Sequence, residues 1–192
     1  MIVAVIPPEI NVTDLDTANI QDAWRRITTQ LHELDAQNQF NSAATREQIA
    51  KLESELGTRL PVTLVALLGC QNGCVEYFDQ LLVDAPFLST QEILSEWKVN
   101  CEVDEDSNTD VKSNDITDYW WHRRCIPICG ANGDCICIDS KTGLMYAHSN
   151  GMGGLRGPIA PTLVEWLGNI ADQLESGSFK IEDSKVTIET IG

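Results

Sequence analysis

Apolar residues near the start of the chain recur every three or four positions, a spacing that places side chains on one face of a helix. Ile20, Trp24, Ile27 and Leu31 follow this spacing, and residues 14–17 offer several N-cap candidates. The pattern therefore predicts an N-terminal helix with one buried face.

Two short amphipathic helices are predicted next. Thr45 and Gln48 have the spacing of a capping box, Gly57 suits the left-handed position past a helix end, and Pro61 suits the first turn of a second helix. Asn72-Gly73 then forms a turn. The apolar positions of the two helices are Ile49, Leu52, Leu56, Leu64, Val65, Leu67 and Leu68.

A strongly acidic stretch follows a third helix signal. Ser89 and Glu92 repeat the capping-box spacing before Ile93 and Trp97, which predicts a short helix. Residues 100–118 contain few apolar side chains, and this composition predicts a solvated, mobile loop. Its acidic residues are Glu102, Asp104, Glu105, Asp106, Asp110, Asp115 and Asp118.

The second half of the chain alternates between strand and turn signals. Strands are predicted at residues 74–78, 120–128, 135–138, 144–148, 179–181 and 186–191, with turns at Asn132-Gly133 and at the sequence SKTG. Thr162 and Glu165 form one more capping-box spacing, before a helix that ends at Gly177.

Helices, then strands, then a helix predict an α+β fold with a mostly antiparallel mixed sheet and helices packed on one face. We predict a single domain over residues 20–192, which includes the acidic loop at 100–118 and follows an N-terminal extension at 1–19.

Charge restricts the possible partners. Aspartate and glutamate outnumber lysine and arginine by 29 to 13, which gives a formal net charge of −16. This charge disfavours binding to nucleic acid or to an anionic membrane and favours a basic protein partner, although plain solubility accounts for it equally well.

No cationic leader precedes Pro7-Pro8, so we expect a cytoplasmic protein. Seven cysteines, an odd number, then indicate reduced thiols rather than a disulfide framework.

No catalytic, metal or cofactor site is predicted. The local cysteine spacings are Cys-x-x-x-Cys and Cys-x-Cys, which differ from the paired Cys-x-x-Cys motifs of structural zinc sites. Cys135 and Cys137 alternate onto one strand face, where we expect core packing. His122, Cys125 and His148 could supply a nucleophile and base, but nothing in the sequence pairs them.

Two further motifs allow two interpretations each. The glycine-rich residues 150–157 could suggest a phosphate loop, but Arg156 and Pro158 do not fit that motif, and a flexible turn is favoured. Trp120-Trp121, beside two arginines, could be a recognition patch. Alternatively, one tryptophan packs in the core while the arginines stay solvated.

Residues 45–73 resemble the opening signature of the Smi/Knr-type family, the SUKH superfamily. The resemblance continues from Trp24 to Phe179 through Ile126-Pro127-Ile128, the sequence GDCICID and a closing helix. It implies that the matching residues build the fold rather than contact a partner. These residues are Gly57, Leu60, Pro61, Asn72, Gly73, Pro127, Gly133, Asp139 and Trp166.

The resemblance implies a non-enzymatic protein-binding domain, because members of the superfamily are toxin-neutralising immunity proteins or regulators of cell-wall assembly. Acidity favours an immunity protein that neutralises a basic, nuclease-type toxin, since nuclease sites are themselves basic. The alternative is a regulatory or scaffolding module. We predict that the partner contacts the acidic residues of the 100–118 stretch together with Trp120 and Trp121. The sequence specifies neither the toxin nor the oligomeric state.

Overall fold

The computed structural model describes residues 12–36, 39–75, 85–106, 115–151, 153–182 and 185–188. The helices within them are α1 Val12–Glu33, α2 Arg46–Leu56, α3 Val62–Leu68, α4 Thr90–Asp106, the short 3-10 helix Ile116–Asp118 and α5 Leu163–Ser176. The strands are β1 Cys125–Ala131, β2 Asp134–Asp139, β3 Met145–Ser149, β4 Gly154–Ala160, β5 Lys180–Glu182 and β6 Lys185–Thr187. The predicted α+β fold is confirmed.

Helix α1 is longer than the sequence pattern predicts. It spans Val12–Glu33, so residues 14–17 lie inside the helix and are not its N-cap. Asp14 in the first turn is favourable there because a carboxylate complements the positive end of the helix dipole. The predicted apolar face is confirmed, since Ile20, Trp24, Ile27 and Leu31 are all buried.

Helices α2 and α3 form as predicted. The Thr45 hydroxyl accepts a hydrogen bond from the Gln48 backbone N–H at 3.2 Å, and the Gln48 side chain accepts one from the Thr45 N–H at 2.7 Å. Gly57 ends α2 with a φ of 69°, a left-handed conformation that favours glycine. Both capping bonds span three residues, which explains why this part of the fold is readable from sequence.

We expect Thr45→Ala to lower the free energy of unfolding by about 1 kcal/mol, because it leaves the Gln48 N–H without its capping acceptor. Urea denaturation followed by far-UV circular dichroism measures the change. Thr58→Ala is the matched control, since Thr58 is exposed in the adjacent loop and its loss is expected to cost less than about 0.5 kcal/mol. Equal effects of the two substitutions would contradict the capping role.

Strands β1 to β4 form one antiparallel sheet in sequence order, and β5 pairs with β6 in a separate hairpin. Strand β4 corrects the expectation of a flexible glycine-rich turn, because residues 154–160 pair along β3. Pro158 is compatible with this strand because β4 lies at the edge of the sheet, where the outward side of the strand makes no hydrogen bonds to a neighbouring strand. On the opposite edge of the sheet, residues 86–88 form backbone hydrogen bonds with β1. The Leu88 N–H donates to the carbonyl of Ile128, and the Gly130 N–H donates to the carbonyl of Pro86.

The helices and the sheet meet at an aromatic cluster centred on Phe87. Its ring is fully buried and lies 5.7 Å from that of Trp24 in α1, 5.9 Å from that of Trp166 in α5 and 6.0 Å from that of Phe40. Phe87 also pairs through its backbone with Cys129 of β1. This one residue therefore contacts two helices while it extends the sheet.

Helices α1 and α5 are also joined at the surface. The guanidinium of Arg26 lies 2.5 Å from carboxylate oxygens of both Asp172 and Glu175.

The strand predicted at residues 74–78 is described only at its start, where Cys74 forms a bridge with Phe40; residues 76–84 lie outside the described residues. Within the part of the chain that is described, no helix has the length and apolar character needed to cross a membrane.

Candidate functional site

Helix α4 carries the first part of the predicted acidic site and corrects the predicted loop. A reciprocal Ser89–Glu92 capping box starts it, and it then runs to Asp106, so residues 100–106 are helical. The reason is that Asn100 and Cys101 are buried on the same face as Trp97. The exposed fraction is 1% for Asn100, 6% for Cys101 and 7% for Trp97. A small thiol and an amide thus continue the buried stripe, which leaves Glu102 exposed on the outer side.

The 3-10 helix carries the second part of the acidic site. The carboxylate of Asp115 caps it by accepting hydrogen bonds from the backbone N–H of Thr117 at 3.0 Å and from its hydroxyl at 2.8 Å. These bonds lower the pKa of Asp115 and keep it ionised. Asp118 lies at the other end of this helix and is exposed. Two acidic side chains are therefore displayed on an ordered turn.

One hydrogen bond joins the two parts. The Trp121 backbone N–H donates to the carboxylate of Asp104 at 3.3 Å, which ties α4 to the segment that follows the 3-10 helix. The acids of the predicted site that the structure describes are two on α4 and two on the 3-10 helix, and we call these four the acidic surface: Glu102, Asp104, Asp115 and Asp118. Of the other predicted acids, Asp110 and the side chains of Glu105 and Asp106 lie outside the described residues.

The two adjacent tryptophans have different environments. Trp121 has only 1% of its surface exposed, so its predicted partner contact is wrong and the core alternative applies to it. Trp120 is half-buried at the edge of the acidic surface, with its ring 4.7 Å from that of His148. Its backbone also passes close to Gly154: a β-carbon there would lie 2.6 Å from Trp120 Cα. Glycine therefore permits β4 to hold Trp120 in place.

The basic residues that follow are partly engaged by the fold. The Arg124 guanidinium forms a bidentate ion pair with the buried carboxylate of Asp139, and the guanidinium carbon of Arg123 lies 5.7 Å from the Trp97 ring centroid. His122 Nδ1 accepts the Arg124 N–H at 3.1 Å, and burial lowers the pKa of this imidazole. At neutral pH His122 therefore adds little positive charge beside the acidic surface.

The residues of the family signature lie in the interior or in turns. Asn72 accepts the N–H of Thr90 at 2.8 Å, Gly73 donates to the Gln71 side chain at 2.5 Å, and the Gly133 carbonyl lies 2.6 Å from His148 Nδ1. The others in this set have helix-end, core or strand positions: Gly57, Leu60, Pro61, Pro127, Asp139 and Trp166.

A second concave site, missed by the sequence patterns, lies beside α5. It is a cleft of about 520 Å³ with an apolar floor and a polar rim. Asn169, Gln173 and Ser176 form part of the rim, one helical turn apart. The apolar floor consists of Ile159, Trp166, Ile170 and Ile188. Because those apolar residues come from β4, α5 and the segment after β6, no single sequence window reveals the cleft.

The described residues contain no group of three or more histidine, cysteine, aspartate or glutamate side chains arranged to hold a metal ion. All seven cysteines are free thiols; Cys70 is partly exposed and the other six are buried. The core position predicted for Cys135 and Cys137 is therefore confirmed. The possible Cys125–His148 pairing does not match the strand register, in which His148 faces Cys135.

Two capped helices, an antiparallel meander and a closing helix define an α+β protein of SUKH type. The family described as SMI1 / KNR4 family (SUKH-1) matches residues 43–169, which is more than half of the chain. The chain belongs to this family. No curated protein matches it.

Proposed function

We propose that this chain is an immunity protein of the SUKH type, which neutralises a basic, nuclease-type toxin by covering it with the acidic surface. Family membership supports a non-enzymatic immunity or regulatory role. The observation that carries the proposal is the hydrogen bond from Trp121 to Asp104, which ties α4, with Glu102 and Asp104, to the segment that directly follows the 3-10 helix, with Asp115 and Asp118. We place the protein in the cytoplasm, where such a toxin would meet its substrate.

The physical basis of the proposal is electrostatic. A nuclease site is basic because it binds phosphates, and a chain with net charge −16 attracts such a site from a distance. Asp104 and Asp115 already accept backbone hydrogen bonds, so their first role is to hold the surface in shape. Glu102 and Asp118 are exposed and are the acids best placed to contact the partner, with half-buried Trp120 as the apolar anchor beside them.

The toxin can be identified by affinity capture. The tagged full chain is expected to retain one basic protein from native lysate at low salt and to release it at about 0.5 M salt, where charges are screened beyond a few ångström. Expression of the captured protein alone should arrest growth, and co-expression of this chain should restore it. A captured protein that does not harm cells would contradict the immunity role.

We expect the double variant Glu102→Gln/Asp118→Asn to weaken binding of that toxin roughly tenfold, mainly through slower association, because both changes remove charge at the rim of the contact. Surface plasmon resonance at about 0.15 M salt measures both rates. Glu33→Gln/Glu182→Gln is the matched control, since it removes the same charge from exposed positions on α1 and β5. If the two double variants weaken binding equally, the net charge of the chain rather than the acidic surface attracts the toxin.

The second candidate function is a regulatory module that docks a peptide, and the cleft beside α5 is the observation that favours it. A cleft with an apolar floor and an amide-bearing rim suits an extended or helical segment of a partner. Asn169→Arg places a long charged side chain at an exposed rim position. Loss of the captured partner with Asn169→Arg, but not with Glu102→Gln/Asp118→Asn, would favour the regulatory module over the immunity protein.

A further inference from the structure

Two exposed valines form an apolar patch on the outer face of α4. Val99 has 51% of its surface exposed and Val103 has 42%, and both are among the few large apolar side chains that are exposed in the described part of the chain. They are four residues apart on a helix, so their side chains are neighbours on one face. The opposite face is buried through Ile93, Trp97 and Cys101. We call Val99 and Val103 the valine patch.

Neither helix formation nor core packing requires valine at these two positions. Both side chains keep close to half of their surface in contact with water, so the core does not depend on them. Valine also forms helices no better than most polar residues, because its branched β-carbon restricts the side chain. A single exposed apolar residue is ordinary, whereas two that adjoin each other on one helix face offer a contact surface.

Carboxylates flank the valine patch. Glu102 lies three residues after Val99 and is exposed, and Glu96 lies three residues before it and is half-buried. The helical repeat places one of them on each side of Val99. Lys98 is the only basic residue in the sequence of α4, and its Nζ lies 2.9 Å from a carboxylate oxygen of Glu55 in α2. The patch is therefore an apolar centre with a negative border.

We propose that the outer face of α4 is a docking surface for a basic protein, whose apolar side chains cover the valine patch while its lysine or arginine side chains pair with Glu102 and Glu96. This inference rests on the proposed function, since the basic protein is the toxin. It adds the apolar contact that charge does not supply. Charged pairs at the border speed association, and the apolar contact at the centre slows dissociation.

Charge also decides against a second copy of this chain on the same face. Two copies would bring Glu96 and Glu102 against like charges, and each chain has a net charge of −16. Two half-exposed valines supply only a small part of the roughly 1,200 Å² that a stable interface buries, so they do not offset this repulsion. A basic partner reverses the sign of the same interaction and makes it attractive.

The first test needs no captured toxin. The probe is a synthetic helical peptide with leucines along one face and lysines beside them, added at low salt to the full chain with labelled valine, leucine and isoleucine methyl groups. In NMR spectra the largest shifts are expected at the methyl groups of Val99 and Val103. A peptide with glutamine in place of each lysine should bind roughly tenfold more weakly. Shifts centred on Ile159 in the cleft beside α5, or no binding of the lysine peptide, would overturn the proposal.

A matched pair of double variants tests the apolar contact. Val99→Ser/Val103→Ser is expected to weaken binding of the lysine peptide roughly tenfold, because the apolar area that the peptide covers is lost. Serine and valine have similar helix propensities, so α4 should remain folded. Leu15→Ser/Ile181→Ser is the control, since these residues are 48% and 53% exposed on α1 and β5. Equal losses of affinity in the two double variants would contradict a docking role for α4.

The captured toxin separates a failure of this inference from a failure of the proposed function. Growth rescue by the wild-type chain tests the immunity role alone. Val99→Ser/Val103→Ser should then raise the dissociation rate of the toxin roughly tenfold in surface plasmon resonance. Rescue without faster dissociation would remove α4 from the contact and leave the immunity role intact. Peptide binding at the valine patch without rescue would do the reverse.

Sedimentation velocity tests the other occupant of this face. The wild-type chain is expected to sediment as a monomer over the concentrations used for NMR, because like charges oppose pairing of the two α4 helices. A dimer that Val99→Ser/Val103→Ser abolishes and Leu15→Ser/Ile181→Ser does not would assign the face to a second copy and overturn the proposal.

Discussion

Phe87→Ala is expected to lower the free energy of unfolding by about 3–5 kcal/mol, the range for an aromatic side chain removed from a core without refilling. The Phe87 ring is fully buried between Trp24 of α1 and Trp166 of α5, so each of these elements loses a contact at once. The surrounding rings belong to different elements and cannot all move inward to fill the cavity. Urea denaturation followed by far-UV circular dichroism measures the change.

Two controls show whether the loss comes from the cavity. Phe87→Leu keeps much of the apolar volume and is expected to cost less than half as much as Phe87→Ala, or about 1–2 kcal/mol. Val99→Ala removes methyl groups from a position in α4 that is 51% exposed, and a change within about 0.5 kcal/mol is expected. If Phe87→Ala costs no more than Val99→Ala, the aromatic cluster does not join the helices to the sheet.

Structural features determined by neighbouring residues were predictable from the sequence. The capping bonds of Thr45, Ser89 and Thr162 each reach only three residues along the chain, and all three form. Gly57 and Gly177 end their helices in the left-handed conformation for the same local reason. The two predicted C-terminal strands also pair, because they are close neighbours along the chain.

Features determined by distant contacts were not predictable. Helix α4 continues to Asp106 because Asn100 and Cys101 pack inward, and a polar amide gives no apolar signal in the sequence. Strand β4 looked like a flexible turn because its glycines and proline are typical of loops, whereas its pairing with β3 depends on residues some ten positions earlier.

The candidate sites also combine features that the local sequence indicates with features that depend on distant contacts. Composition alone indicated the acidic residues, but it gives no sign of the Asp104–Trp121 hydrogen bond that ties α4 to the segment after the 3-10 helix. The SKTG turn between β2 and β3 fixes their register, and this register places Cys135 opposite His148. Both tryptophan rings pack on His148, and the sequence has no pattern that indicates which of the two is buried.

Asp139 is the buried charge on which this part of the fold depends. Its carboxylate accepts the backbone N–H of Lys141, two residues further on, at 3.0 Å. It also accepts the Thr142 hydroxyl at 2.7 Å and the Nε–H of Arg124 at 2.8 Å, and the residue is fully buried. The ion pair with Arg124 and these hydrogen bonds outweigh burial, which acts in the opposite direction, so the pKa of Asp139 lies below its usual 3.8.

We expect Asp139→Asn to lower the free energy of unfolding at pH 7 by about 2–3 kcal/mol, because it leaves the Arg124 guanidinium without its counter-charge. This loss is smaller than the roughly 3–5 kcal/mol typical of a fully buried pair, because the Arg124 side chain is 29% exposed and water partly replaces the carboxylate. Asp134→Asn is the control: Asp134 is exposed, and although it accepts the Asn150 N–H, a neutral amide oxygen can also accept this bond.

Acid titration separates the charge of Asp139 from its shape. A carboxylate whose pKa is lower in the folded state stabilises the protein above its unfolded pKa, and that stabilisation is lost as the pH falls through the folded value. The difference between the wild-type chain and Asp139→Asn should therefore stay constant from about pH 7 to pH 5 and shrink below about pH 4. A difference that persists unchanged in acid would mean that asparagine disturbs the packing of the turn, because a protonated aspartic acid and an asparagine then leave Arg124 equally unpaired.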